Sequence, residues 1–354
     1  MMDLADIRHK LHMIPELSFR EYKTQAFIEG LLDSLGVPYE EVAGTGILAR
    51  WEFGDGPFRL FRADMDALPV VEDTGWEFSS GHEGIMHACG HDVHMTVLIG
   101  LIERVILHRA KENLLFLFQP AEEAGGGAER CMESLERFSI HEAWALHVND
   151  EYPEGSVSSR PGVLFASAYE VDCIFEGRSA HVAFYKQGLD AVEGATDFLR
   201  EVYRSPREDT VLRFGMISGG RVRNVVPDSC VLYGTIRTPD YRLSESAVEE
   251  LADIGNEIAS NRGLIYSQTV GSRYPQLNVN EELYEKLRHL VEVNTVEMKY
   301  VGEDFSFIAL KYPSLLFWLG TGREDPKGLH NSQFLPADSV IEKGVDVFWR
   351  IVTG

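Results

Sequence analysis

Short apolar runs that stop on a polar, ligand-type side chain recur along this chain, and that recurrence limits its fold more than any other feature. Leu114-Leu115-Phe116-Leu117-Phe118 is an unbroken apolar run of the kind found in strands buried on both faces of a parallel sheet, and Gln119-Pro120-Ala121-Glu122-Glu123 follows at once. Residues 58–63 run into Asp64-Met65-Asp66, Ala143-Trp144-Ala145-Leu146 ends on His147, and residues 314–319 lead through a glycine turn to Gly328-Leu329-His330. In open α/β sheets ligands collect beyond the carboxyl ends of the strands. The expected fold class is therefore α/β, a catalytic domain with a central mixed sheet and one shared site at its strand ends.

The densest cluster is Met86-His87-Ala88-Cys89-Gly90-His91-Asp92-Val93-His94. The largely apolar residues 95–108 behind it predict a buried helix rather than a strand, given their length. Cys89 and His91 then sit in the turn opening that helix, whose N-terminus favours a thiolate. A thiolate and an imidazole so close together suit a divalent metal of borderline softness. Adding Glu123, His147 and His330 gives more donors than one zinc needs, so two divalent ions fit the set better. Zn²⁺, Co²⁺, Mn²⁺ and Ni²⁺ all tolerate such ligands. Glu122, beside the donors, is the candidate general base. Asp64 and Asp66 suit the task of holding a ligand imidazole by its other N–H.

The chain has 354 residues and a net charge of −23, which argues against nucleic acid or an anionic membrane as partner. Cys89, Cys131, Cys173 and Cys230 are scattered without a C-x-x-C pair, as in a reducing compartment. No signal peptide and no membrane-spanning apolar run is visible, so a cytoplasmic location is expected. Residues 166–274 change texture to strand–helix–strand–strand–helix–strand, the ferredoxin-like order. They read as a domain inserted into a catalytic domain made of residues 1–165 and 275–354.

Taken together, Arg62-Ala63-Asp64-Met65-Asp66-Ala67-Leu68-Pro69, His87-Ala88-Cys89-Gly90-His91-Asp92, Gln119-Pro120-Ala121-Glu122-Glu123, Leu146-His147-Val148, Gly302-Glu303-Asp304-Phe305 and Leu329-His330-Asn331 resemble the M20 metallopeptidase/amidohydrolase family, in its aminoacylase-like branch. The resemblance implies a two-metal hydrolase that removes N-acyl groups from small-molecule amino-acid substrates. It assigns Cys89, His91, Glu123, His147 and His330 to metal and Glu122 to the base. It also implies a ferredoxin-like lid through which many members form homodimers. Within that lid, Gly177-Arg178-Ser179-Ala180-His181 resembles the family's turn carrying an oxyanion-stabilising histidine, here His181. Asn224 and Arg237 match positions associated with the substrate carboxylate. One departure is Ala183-Phe184-Tyr185-Lys186, where the family commonly has Ala-x-Pro-His. Residues 12–17, 19–25, 311–313 and 317–320 resemble, more narrowly, the N-acetyldiaminopimelate deacetylases of lysine biosynthesis. A broader aminoacylase of hippurate-like range and a non-catalytic metal-binding scaffold are the competing readings.

Overall fold

The computed structural model describes residues 2–204 and 207–354. Their order is α1 (Leu4–His12), α2 (Tyr22–Leu35), β1 (Tyr39–Val42), β2 (Gly46–Trp51), β3 (Phe58–Asp64), α3 (His91–His108), β4 (Asn113–Gln119), α4 (Gly127–Leu135) and β5 (Ile140–Pro153). Next come β6 (Val157–Ser159), β7 (Gly162–Phe165), β8 (Ser167–Glu176), α5 (Ala191–Arg204), β9 (Val211–Gly219), β10 (Ser229–Thr238), α6 (Tyr241–Arg262) and β11 (Ile265–Tyr274). The chain closes with β12 (Leu277–Val279), α7 (Glu281–Leu290), β13 (Asn294–Thr295), α8 (Ser306–Lys311), β14 (Ser314–Gly322) and α9 (Ser339–Thr353). No helix among the described residues is long and apolar enough to cross a membrane.

The chain divides into two compact units, residues 1–164, 277–297 and 304–354 in one and residues 165–276 and 298–303 in the other. The first is built on an eight-stranded sheet ordered β1-β2-β4-β3-β5-β14-β6-β13. Its centre is parallel, β4 with β3, β3 with β5 and β5 with β14, while β2 runs antiparallel to β1 and β4, and β6 runs antiparallel to β14 but parallel to β13. The sheet is thus mixed. Every residue of β4 is buried, as its continuous apolar run requires. α3 is apolar nearly all round and is buried accordingly, against β3, β4 and β5 and between α1 and α9. One expectation fails in β5. The strand does not stop at His147 but continues to Pro153, because β14 pairs with it well past that residue, through Gly320↔Asn149 and Gly322↔Pro153.

The second unit has the element order β-α-β-β-α-β and an antiparallel sheet ordered β11-β8-β10-β9. Phe175, Phe198, Leu232, Ile236 and Leu251 fill the space between its sheet and its two helices. Residues 298–303 return to this unit after the chain has left it. The Ala166 N–H donates to the Lys299 carbonyl at 2.9 Å, and a side chain on Gly302 would crowd Ala168 and Tyr274.

A buried ionic network fastens α1 to the start of α3. Arg8 Nε donates to Asp92 Oδ2 at 2.9 Å, and His12 lies 3.0 Å from the same oxygen and 3.3 Å from Glu72 Oε1. Burial alone would lower the His12 pKa, but Asp92 and Glu72 outweigh it and raise it to about 9. Because the folded value lies above the ordinary one of 6.5, the His12 imidazolium stabilises the fold fully below that pH and loses its effect as pH rises through about 9. Chemical denaturation should therefore show stability falling by at most roughly 3 kcal/mol across that window. His12→Phe should remove that part of the slope. An identical slope in the variant would mean the network carries no such charge.

Candidate metal centre

β3 and β4 end side by side, with Asp64 paired to Gln119, so the loops that follow them leave the sheet together. Gly90 sets the Cys89-Gly90-His91 turn against β5. Its φ is +81°, and a Cβ there would lie 2.3 Å from Val148 Cγ2, so only glycine fits. The loop after β14 is tied to the same turn through the His330 N–H, which donates to the Ala88 carbonyl at 2.8 Å.

These constraints bring the five expected donors together. Cys89 Sγ lies 3.4 Å from His147 Nε2 and 3.4 Å from His330 Nε2. Glu123 Oε1 lies 3.8 Å from His91 Nε2 and 3.6 Å from His330 Nε2. Second hydrogen bonds fix two of the imidazoles. His91 Nδ1 faces the Asp66 carbonyl at 2.8 Å and His147 Nδ1 faces the Val148 carbonyl at 2.8 Å. Each must donate there, so the Nε2 that faces the cluster is the atom left to bind a cation once it carries no proton. His91 Nε2 and Glu123 Oε1 are buried without a hydrogen-bond partner. Such unpaired polar atoms are costly unless a partner meets them, and a cation in place of the His91 proton would meet both. The residues fit a metal ion.

His94 lies in the same cluster, close to Asp64, His91 and His147, yet it has no lone pair to offer. Its Nδ1 donates to Asp64 Oδ1 at 2.6 Å, while its Nε2 accepts the Val148 N–H at 2.9 Å. It is a brace that holds the backbone beside His147. Asp64 therefore grips His94 rather than a ligand imidazole. Its other oxygen accepts from Arg62 at 2.7 Å, and Arg62 also reaches Gln119 at 2.8 Å and Asp304 at 2.9 Å. Asp66 serves His91 mainly through its backbone carbonyl. Its carboxylate instead accepts the Glu122 N–H at 3.1 Å, the Glu123 N–H at 3.0 Å and the Ser18 hydroxyl at 2.6 Å. The sequence reading missed His94, Arg62, Gln119 and Asp304 as parts of the site. The i, i+3 spacing of His91 and His94, which shares a helix face, was a signal for the first.

The electrostatics agree with a pocket short of positive charge. Burial, then Glu123, Glu122 and Asp64, push the Cys89 thiol well above its ordinary range, against the expectation from the helix N-terminus alone. For His91 burial is outweighed by Asp64, Asp66 and Glu123, which raise it to about 10. Burial also opposes ionisation of Asp64, but His91, Arg62 and His94 hold it well below the usual carboxylate range. Burial and then His94 hold His147 well below its ordinary value. Protons on Cys89 and His91 thus occupy the place of cations.

In the second unit His181 precedes a short 3₁₀ turn and accepts the Ala183 N–H on its Nδ1 at 3.1 Å. Backbone bonds from Val182 N–H to the Asn224 carbonyl (3.0 Å) and from Val226 N–H to the Ala180 carbonyl (2.8 Å) set His181 and Asn224 side by side. Arg237 is elsewhere. It pairs with Ala168 and Val211 near the far end of β10 from Ser229, about 26 Å along the strand at 3.3 Å per residue.

Residues 60–354 match peptidase family M20/M25/M40. The chain belongs to that family. It is 37% identical to an N-acetyldiaminopimelate deacetylase of Bacillus pumilus, over 97% of this chain and 96% of the relative. It is 35% identical to the enzyme of that name from Bacillus subtilis, over 98% of this chain and 96% of the relative. A solved Bacillus subtilis structure, described as a dinuclear metal-binding peptidase of the M20 family, shares the fold with a TM-score of 0.85 at 26% identity, over 99% of this chain and 96% of that one. As an M20 member with this donor set, the chain is a metal-dependent hydrolase of amide bonds.

Because Cys89 and His91 must lose protons before they can bind a cation, metal uptake should release protons and weaken as pH falls. Titration calorimetry with Zn²⁺ or Co²⁺ in buffers of different ionisation enthalpy reads this directly. Uptake without proton release would contradict the protonated pocket.

Proposed function

We propose that the pocket holds two divalent ions through Cys89, His91, Glu123, His147 and His330, and that the chain removes the acetyl group from N-acetyl-diaminopimelate. The observation that carries the metal part is the pair of buried polar atoms without a hydrogen-bond partner, His91 Nε2 and Glu123 Oε1, among the converging donors. The names of the relatives, at 34–37% identity over nearly the whole chain, support the substrate. Zn²⁺, Co²⁺, Mn²⁺ and Ni²⁺ all suit the ligand set. When bound, the ions polarise the amide carbonyl and make water a nucleophile near neutral pH.

The chain's own residues do the rest. Glu122 follows Ala121 in a loop whose backbone Asp66 holds, and its carboxylate groups with Glu303 and Asp304 rather than with Cys89, His91 and Glu123. Its carboxylate takes the proton of the attacking water and passes it to the leaving nitrogen. His181, with Nδ1 occupied as an acceptor, carries its proton on Nε2 and can donate to the carbonyl oxygen as that atom gains charge. Asn224 and Arg237 serve the substrate carboxylate. Asp64 keeps His94 and, through it, the His147 segment in place.

The second unit reads as a ferredoxin-like lid, on its strand order. His181 lies beside Asn224 while Arg237 lies toward the other end of β10, and a second copy of the chain would supply one of them to a shared substrate. The exposed Met216 and Ile217 on edge strand β9 suit such a homodimer. A broader N-acyl-amino-acid amidohydrolase is the second reading. The Tyr185-Lys186 pair beyond His181 favours it, since it stands where the family commonly has Pro-His.

Two measurements test these readings. Glu122→Gln in the metal-loaded protein should keep its metal content while hydrolysis falls by at least about 10²-fold, the lower range of general-base effects. Unchanged hydrolysis would remove Glu122 from the mechanism. Across a panel, kcat/KM for N-acetyl-diaminopimelate should exceed that for hippurate and N-acetyl-leucine by roughly 100-fold. Equal values would leave the broader reading.

A further inference from the structure

Three consecutive backbone N–H groups in the loop after β4 end on two buried carboxylates. Asp66 takes those of Glu122 and Glu123. The third, from Ala121, goes to Glu21 Oε1 at 2.9 Å. Glu21 is wholly buried at the start of α2, and its second oxygen accepts from the Thr45 hydroxyl. The bond falls where the backbone needs it. Ala121 has a φ of +53°, the left-handed region that an alanine resists. The loop then closes on itself, with the Gly127 N–H donating to the Ala121 carbonyl at 3.1 Å. A Cβ on Gly127 would sit 1.6 Å from the Pro120 oxygen, so the loop has no slack there.

Neighbours of Glu21 reach the same two loops. The Ala67 N–H donates to the Glu16 carbonyl at 2.8 Å, and the Ser18 hydroxyl donates to Asp66. The Phe19 ring fills the space a side chain on Gly125 would need and lies 3.9 Å from the Arg130 guanidinium. The stretch from Glu16 to Glu21 is therefore more than a linker between α1 and α2. It braces the loop that carries Glu122 and Glu123.

We propose that Glu21 is a positioning residue: by holding the Ala121 N–H it fixes the left-handed turn that aims the Glu122 carboxylate. The catalytic consequence rests on the reading of Glu122 as the base. The brace itself does not.

Two substitutions separate geometry from charge. Glu21→Gln keeps an oxygen for the Ala121 N–H and an amide for Thr45 but loses the charge. Glu21→Asp keeps the charge but withdraws the carboxylate by one methylene. In the metal-loaded full chain, Glu21→Asp should lower kcat by on the order of 100-fold, the cost of misplacing a catalytic group by about 1 Å. Its KM should stay within about threefold and its metal content should be unchanged. Glu21→Gln should stay within about threefold of the parent in kcat. In the metal-free protein, amide exchange across residues 119–127 should quicken about tenfold in Glu21→Asp alone, as expected when a local opening becomes easier. Glu21→Gln failing as badly as Glu21→Asp, or Glu21→Asp keeping the parent's kcat and exchange, would overturn the proposal. Because exchange is read without turnover, it judges the brace even if Glu122→Gln proves active and the base reading falls.

Discussion

A buried carboxylate stays ionised only beside positive charge, and the first unit is organised around that constraint. Asp64, Asp66, Glu123 and the Cys89 thiol share one pocket at the ends of β3 and β4. Arg62 sets a fixed guanidinium on Asp64, and it is shared with Asp304. The remaining deficit falls on His91 and Cys89, which hold protons where cations belong. Metal binding is thus a completion of the fold's charge balance as well as a source of reactivity.

Around that pocket the chain separates gripping from reacting. Groups whose polar atoms are all engaged, such as His94 and Arg62, keep backbone and carboxylates in place. His91 and His147 instead turn their Nε2 toward the cluster. The separation explains how His94 can lie among the donors and yet be excluded from them by its hydrogen bonds. It also explains the behaviour of Asp66, whose carboxylate secures the backbone that presents Glu122 and Glu123.

Much of this was legible in the sequence. Continuous apolar runs announced β4 and α3, and polar residues at the ends of β3 and β4 marked the converging loops. The six elements of the second unit follow the order in which strand-like and helix-like stretches alternate along residues 166–274. What stayed hidden depends on distant pairing. Nothing local to Ala145-Leu146-His147 says that β14 will pair on as far as Pro153. Nothing local to Met298 says that six residues will return to the second unit. The roles of Arg62, His94 and Glu21 lie in partners 242, 30 and 100 residues away along the chain, and no spacing rule reaches that far.

The central claim is that the converging donors form a binuclear cation site. Anomalous diffraction from crystals grown with Zn²⁺ or Co²⁺ tests it most directly. The account predicts two strong peaks in the pocket, with Cys89, His91, Glu123, His147 and His330 divided between them and His94 bonded to neither. A single peak, no peak, or a metal bonded to His94 in place of one of the five would contradict it.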